Sequence, residues 1–217
     1  MRSPLFLFSR NFFFIEKGVD TRPFLREIET HGKDVPQYQK PPAHREAKHI
    51  GLRRAVRIAG ENVYHGNIRD TAPTARYALF SHTREWLEDF AKRHDAALER
   101  VQIAILKPQG KIFPHWDEGS YYLARERYHL VLQSEGSRLK IGGQSGLFHE
   151  GEVWWINNRR IHAFFNDSET TERIHLIFDL LPNSIIKRAV NFLFWCQTTL
   201  GHMLKIHVFR SITYSDA

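Results

Sequence analysis

A single cysteine, Cys196, stands in a chain of 217 residues, which rules out an intrachain disulfide and fits a reducing compartment. No stretch approaches the length and charge-free character of a membrane span. The apolar start, MRSPLFLFSRNFFFIEKG, is interrupted by Arg10 and followed by no small-residue cleavage site, so residues 5–15 read as an edge strand rather than a leader; a cytoplasmic protein is expected. Internal repeats and low-complexity segments are absent, as are zinc-finger spacings, a Gly-Lys-Ser phosphate loop and an aromatic–glycine RNA signature. These absences matter because the net charge is +7 and the pI near 9.6, a balance that favours acidic partners in general. The basic residues are spread along the chain, with one modest concentration, HREAKHIGLRRAVR at residues 44–57. That segment reads as a solvated, mobile loop face, and no nucleic-acid partner is expected.

What is present is an ordinary globular composition, 42% hydrophobic and 13% aromatic, in a length that suits one core and a single domain. TRPFLREIETHG predicts a short helix, with Thr21 as cap, Pro23 in the first turn and Gly32 after the last. Residues 33–60 are rich in proline and charge and are expected to cover a surface. SHTREWLEDFAKRHDAAL spaces Trp86, Leu87, Phe90 and Ala91 at helical intervals, with Ser81 or Thr83 as cap. Short apolar or alternating runs then follow one another: VQIAILK, KIFPHW, RYHLVLQ, RLKIG, GEVWWI, IHAFFN and ERIHLIFDLL. Turn signals separate them at Pro108-Gln109-Gly110, Glu135-Gly136, Gly142-Gly143, Glu150-Gly151 and Asn166-Asp167. This spacing predicts a mainly β, antiparallel sandwich or barrel over residues 98–181. Residues 1–97 form a helical and loop cover, and a closing helix is predicted within residues 182–217.

Within the β region, FPHWDEGSYYLARERYH, residues 113–129, holds two polar pairs between apolar runs. Residues two apart on a strand share a face. His115 and Asp117 therefore point together, as do Arg127 and His129, and Arg173 and His175. A polar face inside an apolar β core costs stability unless it is paired or binds something. An imidazole and a carboxylate at this spacing supply two ligands of a two-histidine, one-carboxylate metal site, and His162 is the best candidate for the third. Such a site leaves open positions that suit ferrous iron binding a bidentate co-substrate and dioxygen. Arg173, on a strand expected beside His162, offers a planar fork for a carboxylate.

PQGKIFPHWDEGSYY, RYHLVLQ, EGEVWWINNRRIHAFFND and RIHLIFDLL together resemble the aspartyl/asparaginyl β-hydroxylase family of Fe(II)- and 2-oxoglutarate-dependent oxygenases. The resemblance covers residues 100–181 in order and spacing. It implies a double-stranded β-helix, a jelly roll related to the cupins, with flanking N- and C-terminal helices. It also implies a hydroxylase that couples oxidation of 2-oxoglutarate to succinate and CO2 with attack on an unactivated C–H bond. The substrate class it implies is an amino acid, a peptidyl residue or a small amide or acyl natural product. His115 and His162 match the family's iron-binding histidines, Arg127 and His129 a pair that contacts 2-oxoglutarate, and Arg173 the arginine that holds its distal carboxylate. The chain departs from the animal members in carrying Asp117 where they have glycine, which completes the triad and leaves no position for a halide. It also has Ala104 where they use a serine toward the co-substrate.

The plainer alternatives are these. PHWD also reads as a turn, with Asp117 capping a loop. Glu118 competes as a ligand but faces away from His115. His175 competes with His162 but shares a face with Arg173 and is expected to line or support the pocket. Trp154 and Trp155 are expected in core and rim packing, and Trp116, Tyr121 and Tyr122 at a substrate mouth. His65, His82, His94, His202 and His207 are expected in surface or packing roles. Two other functions are left as rivals: a non-catalytic jelly-roll binding module, and a basic nucleic-acid-associated protein.

Overall fold

The computed structural model describes residues 11–33, 42–56, 70–185 and 188. Its strands are β1 (Phe12–Glu16), β2 (Ala47–Ala55), β3 (Thr71–Pro73), β4 (Ala96–Leu106), β5 (Lys111–His115), β6 (Glu126–Gln133), β7 (Ser137–Ile141), β8 (Gln144–Phe148), β9 (Val153–Ile156), β10 (His162–Asn166) and β11 (Arg173–Pro182). They form a seven-stranded sheet, order β1-β9-β6-β11-β4-β2-β3, and a four-stranded sheet, order β5-β10-β7-β8. Every pairing is antiparallel. This is the mainly β jelly-roll arrangement that the strand spacing and the resemblance imply. The expected turn signals fall between strands; Gly142 and Gly143, at φ 52° and 83°, close the β7–β8 hairpin in backbone conformations that favour glycine. The strand expected over residues 5–15 is seen from Phe12 as the edge β1, and residues 5–10 lie outside the described residues. The closing helix within 182–217 also lies, apart from residues 182–185 and 188, outside them.

Strand alternation gives the large sheet two unlike faces. Tyr128, Leu130, Leu132, Ile174, Leu176 and Phe178 point outward into an apolar cluster with Phe24, Leu87 and Phe90. Those last residues come from helices α1 (Arg22–His31) and α2 (Ser81–Arg93), which cover this face. His82 packs edge-on against Phe24 and His94 stacks on Phe90, the packing roles expected of them. The caps differ from expectation. The Thr21 hydroxyl donates to Glu150 rather than to its own helix. At α2, the Glu27 carboxylate of α1 accepts from the His82 and Thr83 amides at 2.7 and 3.0 Å and does what Ser81 or Thr83 was expected to do. A carboxylate suits the positive end of a helix better than a hydroxyl.

The N-terminal region is more than a cover. Residues 44–56, expected as a solvated loop face, contain β2, which lies between β3 and β4 with Ala47, Ile50 and Leu52 buried. The charges misled: Arg53 donates to the Glu99 carbonyl and Arg45 lies over the Phe113 ring at 3.5 Å, so these cations sit on the sheet rather than in a loop.

Candidate active site

The inner face of the large sheet carries the opposite chemistry to its outer face. Arg127 and His129 of β6, Arg173, His175 and Asp179 of β11, and His49 of β2 occupy the alternate positions. Register sets them side by side: Asp179 pairs with Arg127, Ile177 with His129, and His175 with Ala104, which in turn pairs with His49. Two of the three i, i+2 pairs read from the sequence, Arg127 with His129 and Arg173 with His175, thus share this inner face.

The small sheet supplies the facing side. His115 ends β5, His162 begins β10, and the two are direct cross-strand partners with ring centroids 4.3 Å apart. In each ring Nδ1 donates to a backbone carbonyl two residues earlier, His115 to Phe113 and His162 to Arg160, both at 2.8 Å. A carbonyl can only accept, so both protons are held on Nδ1 and each neutral ring keeps its lone pair on Nε2, the state a metal ligand needs. Asp117 follows β5 and is steered by the turn before β10. Its amide donates to the Asn158 carbonyl at 2.9 Å, and the Asn158 side-chain amide donates to its Oδ2 at 2.8 Å. Arg127 also donates to that Oδ2, which leaves Oδ1 toward His115 Nε2 at 3.9 Å.

Arg127 and Arg173 stand at opposite ends of this interior. Arg127 makes a bidentate pair with Asp179, at 2.8 and 2.9 Å, besides its bond to Asp117. Arg173 is 0% exposed and meets only neutral groups: Nε lies 3.0 Å from Ser137 Oγ, and Nε and Nη2 lie 3.1 and 2.8 Å from the two ring nitrogens of His175. A neutral imidazole has one lone pair, so His175 accepts only one of these donors. Among the described residues, Arg173 Nη1 has no hydrogen-bond partner and no carboxylate pairs with this guanidinium. Phe164 of β10 links the two ends: its ring is 6.1 Å from His162, stacks on His129 at 5.1 Å, and lies 4.5 Å under the Arg173 guanidinium carbon.

Electrostatics follow this geometry. Burial lowers His162 to about 4 and Arg173 to about 9, and it holds His129 and His175 well below the usual histidine range, with the Arg173 charge adding to the effect on both. For Asp117 burial acts upward, but the Arg127 guanidinium, His162 and the Asn158 amide outweigh it and hold the carboxyl well below its ordinary value. The interior therefore holds neutral imidazoles at His129, His162 and His175, an ionised carboxylate at Asp117 and, at Arg173, a cation that meets no carboxylate among the described residues.

A model of the aspartyl/asparaginyl β-hydroxylase family matches residues 31–182. The chain belongs to that family. Among solved structures, the non-heme α-ketoglutarate-dependent epimerase SnoN from nogalamycin biosynthesis superposes with a TM-score of 0.55 at 9% identity, covering 82% of this chain and 83% of that one. A 2OG-Fe(II) oxygenase-family oxidoreductase from Burkholderia pseudomallei gives 0.49 at 14% identity, covering 82% and 87%. A Pseudomonas putida prolyl-4-hydroxylase gives 0.47 at 10%, covering 83% and 97%. No curated protein matches. At such identities SnoN supports the double-stranded β-helix fold and nothing finer.

The family's expected iron can be tested against this site. Among the described residues no three His, Cys, Asp or Glu side chains close around a common point, and the 3.9 Å between His115 and Asp117 exceeds the ~3 Å between adjacent ligands of an ion with bonds near 2.1 Å. The donors are nonetheless of the right kind: two Nε2 lone pairs on fixed rings, and an ionised carboxylate with one oxygen uncommitted to Arg127 and Asn158. Closing the gap takes under an ångström of side-chain movement, so the residues fit. Arg173 Nη1 is likewise the orphaned donor that a co-substrate carboxylate would satisfy.

Several participants escaped the sequence reading. Asp179 continues the period-two series Arg173, His175, Ile177, Asp179 and was legible in RIHLIFD. Phe164, two residues after His162 on β10, was legible by the same rule, whereas Asn158, Ser137, His49 and His44, whose Nε2 lies 3.0 Å from that of His115, had no local signal, because each reaches the site across a sheet or from a turn. Tyr121 and Tyr122 were expected at an exposed mouth. They are buried instead: Arg100 donates to the Tyr122 hydroxyl at 2.6 Å, and the Tyr121 hydroxyl accepts from the Arg100 amide. Trp116, 49% exposed, remains at the surface. Trp155 is core, and the half-buried Trp154 stacks on Phe148, as expected.

Proposed function

We propose that this protein is an Fe(II)- and 2-oxoglutarate-dependent dioxygenase that hydroxylates an amino acid, a peptidyl residue or a small amide or acyl compound. His115, Asp117 and His162 hold the metal, and Arg173 holds the distal carboxylate of 2-oxoglutarate. The observation that carries this reading is Arg173: a fully buried guanidinium with one nitrogen lacking a hydrogen-bond partner and no carboxylate beside it among the described residues, sharing Phe164 with one of the paired imidazoles. Leaving such a charge unpaired in the interior is costly, and an incoming carboxylate removes the penalty.

Bound iron and 2-oxoglutarate supply the oxidising chemistry that the side chains lack, with dioxygen as the oxidant. The chain's own residues bind and orient. Phe113 O and Arg160 O keep the ligand protons on Nδ1. Arg127 and Asn158 aim Asp117 and keep it ionised. His129, stacked on the Phe164 ring that also meets His162 and Arg173, contacts the co-substrate. Ser137 and His175 hold the Arg173 fork in plane. Anaerobic titration with ferrous iron and 2-oxoglutarate tests the assignment: a metal-to-ligand charge-transfer band is expected and its loss in His162→Ala, whereas no band in the parent protein defeats the reading. A succinate assay across pooled amino acids, peptides and extracts then identifies the substrate class.

A further inference from the structure

Three imidazoles, not two, meet at the metal side. His44, on the single 3₁₀ turn Pro42–His44 ahead of β2, places Nε2 3.0 Å from Nε2 of His115, with ring centroids 4.6 Å apart. Its Nδ1 is 3.2 Å from Nε2 of His49, on the inner face of β2. For neutral rings, the Phe113 carbonyl sets the proton directions along this chain. His115 Nδ1 donates to Phe113 O, so in the neutral ring Nε2 holds the lone pair, and the proton between the two rings belongs to His44 Nε2. His44 Nδ1 is then the acceptor, and His49 Nε2 carries the next proton. The chain runs in one direction: His49 to His44 to His115.

We propose that His44, oriented by His49, is a positioning residue of the metal centre: its Nε2–H occupies the ligand lone pair of His115 in the metal-free protein and is handed to an oxygen atom of the co-substrate once metal takes that lone pair. The inference rests on His115 and His162 being ligands. Its physical core is that one lone pair cannot accept a hydrogen bond and bind a metal at the same time. Loading therefore costs the protein the His44 bond, and the freed N–H, still held through His49, stays beside the ligands bound next to His115. A 2-oxoglutarate carboxylate or keto oxygen is the acceptor chemistry available there.

The test uses full-length metal-free protein and calorimetric titration with Mn(II), then with 2-oxoglutarate on the Mn(II)-loaded form. In His44→Ala, Mn(II) is expected to bind about three- to ten-fold more tightly without co-substrate, and 2-oxoglutarate about three- to ten-fold more weakly, the scale of one hydrogen bond. His44→Gln, whose amide nitrogen reaches a similar point, is expected to move both values back toward the parent's. Circular dichroism of the metal-free variants checks that each is folded. Unchanged or weaker Mn(II) binding in His44→Ala overturns the proposal, the weaker case marking His44 as a ligand instead. Unchanged 2-oxoglutarate binding overturns it too. If the parent protein does not bind Mn(II), or His162→Ala binds it equally well, the ligand assignment itself fails; a defect confined to the His44 variants leaves that assignment standing.

Discussion

Arg127 and Arg173 sit on paired strands, face the same interior and are both withdrawn from water, yet their surroundings are opposite. Arg127 is saturated by carboxylates, with two oxygens from Asp179 and one from Asp117. Arg173 has a serine hydroxyl, a neutral imidazole and one nitrogen with nothing. A buried cation that brings its own counter-ions is part of the architecture, and here it also aims a candidate metal ligand. A buried cation without one stores an unpaid desolvation cost that a ligand carboxylate can relieve. The same residue type, at equivalent positions two residues before an inward histidine, is thus neutralised by the fold's own carboxylates at one end and, in the function proposed above, left for a ligand carboxylate at the other.

The sharpest way to break this contrast is Arg127→Met. It strands Asp179 and Asp117 as buried carboxylates and is expected to lower the urea unfolding free energy by about 3–5 kcal/mol. A loss below about 1 kcal/mol would show that Arg127 is not structural. Acid comes next and acts on the imidazole end. The folded value of His162, about 4, lies below its ordinary 6.5, so the unfolded chain takes up the proton first. The stability this ring contributes is complete above pH 6.5 and is lost as pH falls to about 4, roughly 3 kcal/mol for this one ring. Asp117 stays ionised across that window, since its held-down value lies below the ordinary 3.8. Urea unfolding of metal-free protein between pH 4 and 7 should show this slope, shallower in His162→Gln; equal slopes in parent and variant contradict the burial argument.

Arg173→Met is the counterpart of the first substitution. It should weaken 2-oxoglutarate binding to metal-loaded protein by about 30- to 100-fold, the scale of a charged hydrogen-bond pair, while changing unfolding by less than about 1 kcal/mol. Loss of stability with unaltered co-substrate affinity would make the two arginines alike and remove the carboxylate assignment. The smallest effect is expected from Ser137→Ala, which takes away the hydroxyl beside Arg173 Nε and His175 Nε2. About a three- to ten-fold loss in 2-oxoglutarate affinity is expected by titration, and none would mean that His175 alone holds the fork.

Much of the fold was legible because its signals are local. Period-two alternation in ERYHLVLQ and RIHLIFDLLP marks two strands with unlike faces, and the intervening glycines mark the turns. The helices α1 and α2 were legible for the same reason, though their caps were not, since Glu27 caps α2 from another element. β2 was misread because AKHIGLRRA is dense in charge and histidine. Its strand character comes from β3 and β4 on either side, which no property of the segment announces.

The candidate site divides in the same way. By itself the sequence determined which residues share a strand face, Arg127 with His129, and Arg173 with His175 and Asp179, because side-chain direction in a strand depends only on parity; Asp117 lies beyond the end of β5 and is held by Asn158 and Arg127 instead. Tertiary structure alone decided that His162 lies opposite His115, that Arg127 is saturated while Arg173 is not, and that His44 and His49 form a chain of imidazoles to His115. Those facts depend on sheet register and on distances between segments remote in the chain, set by how the two sheets close on each other.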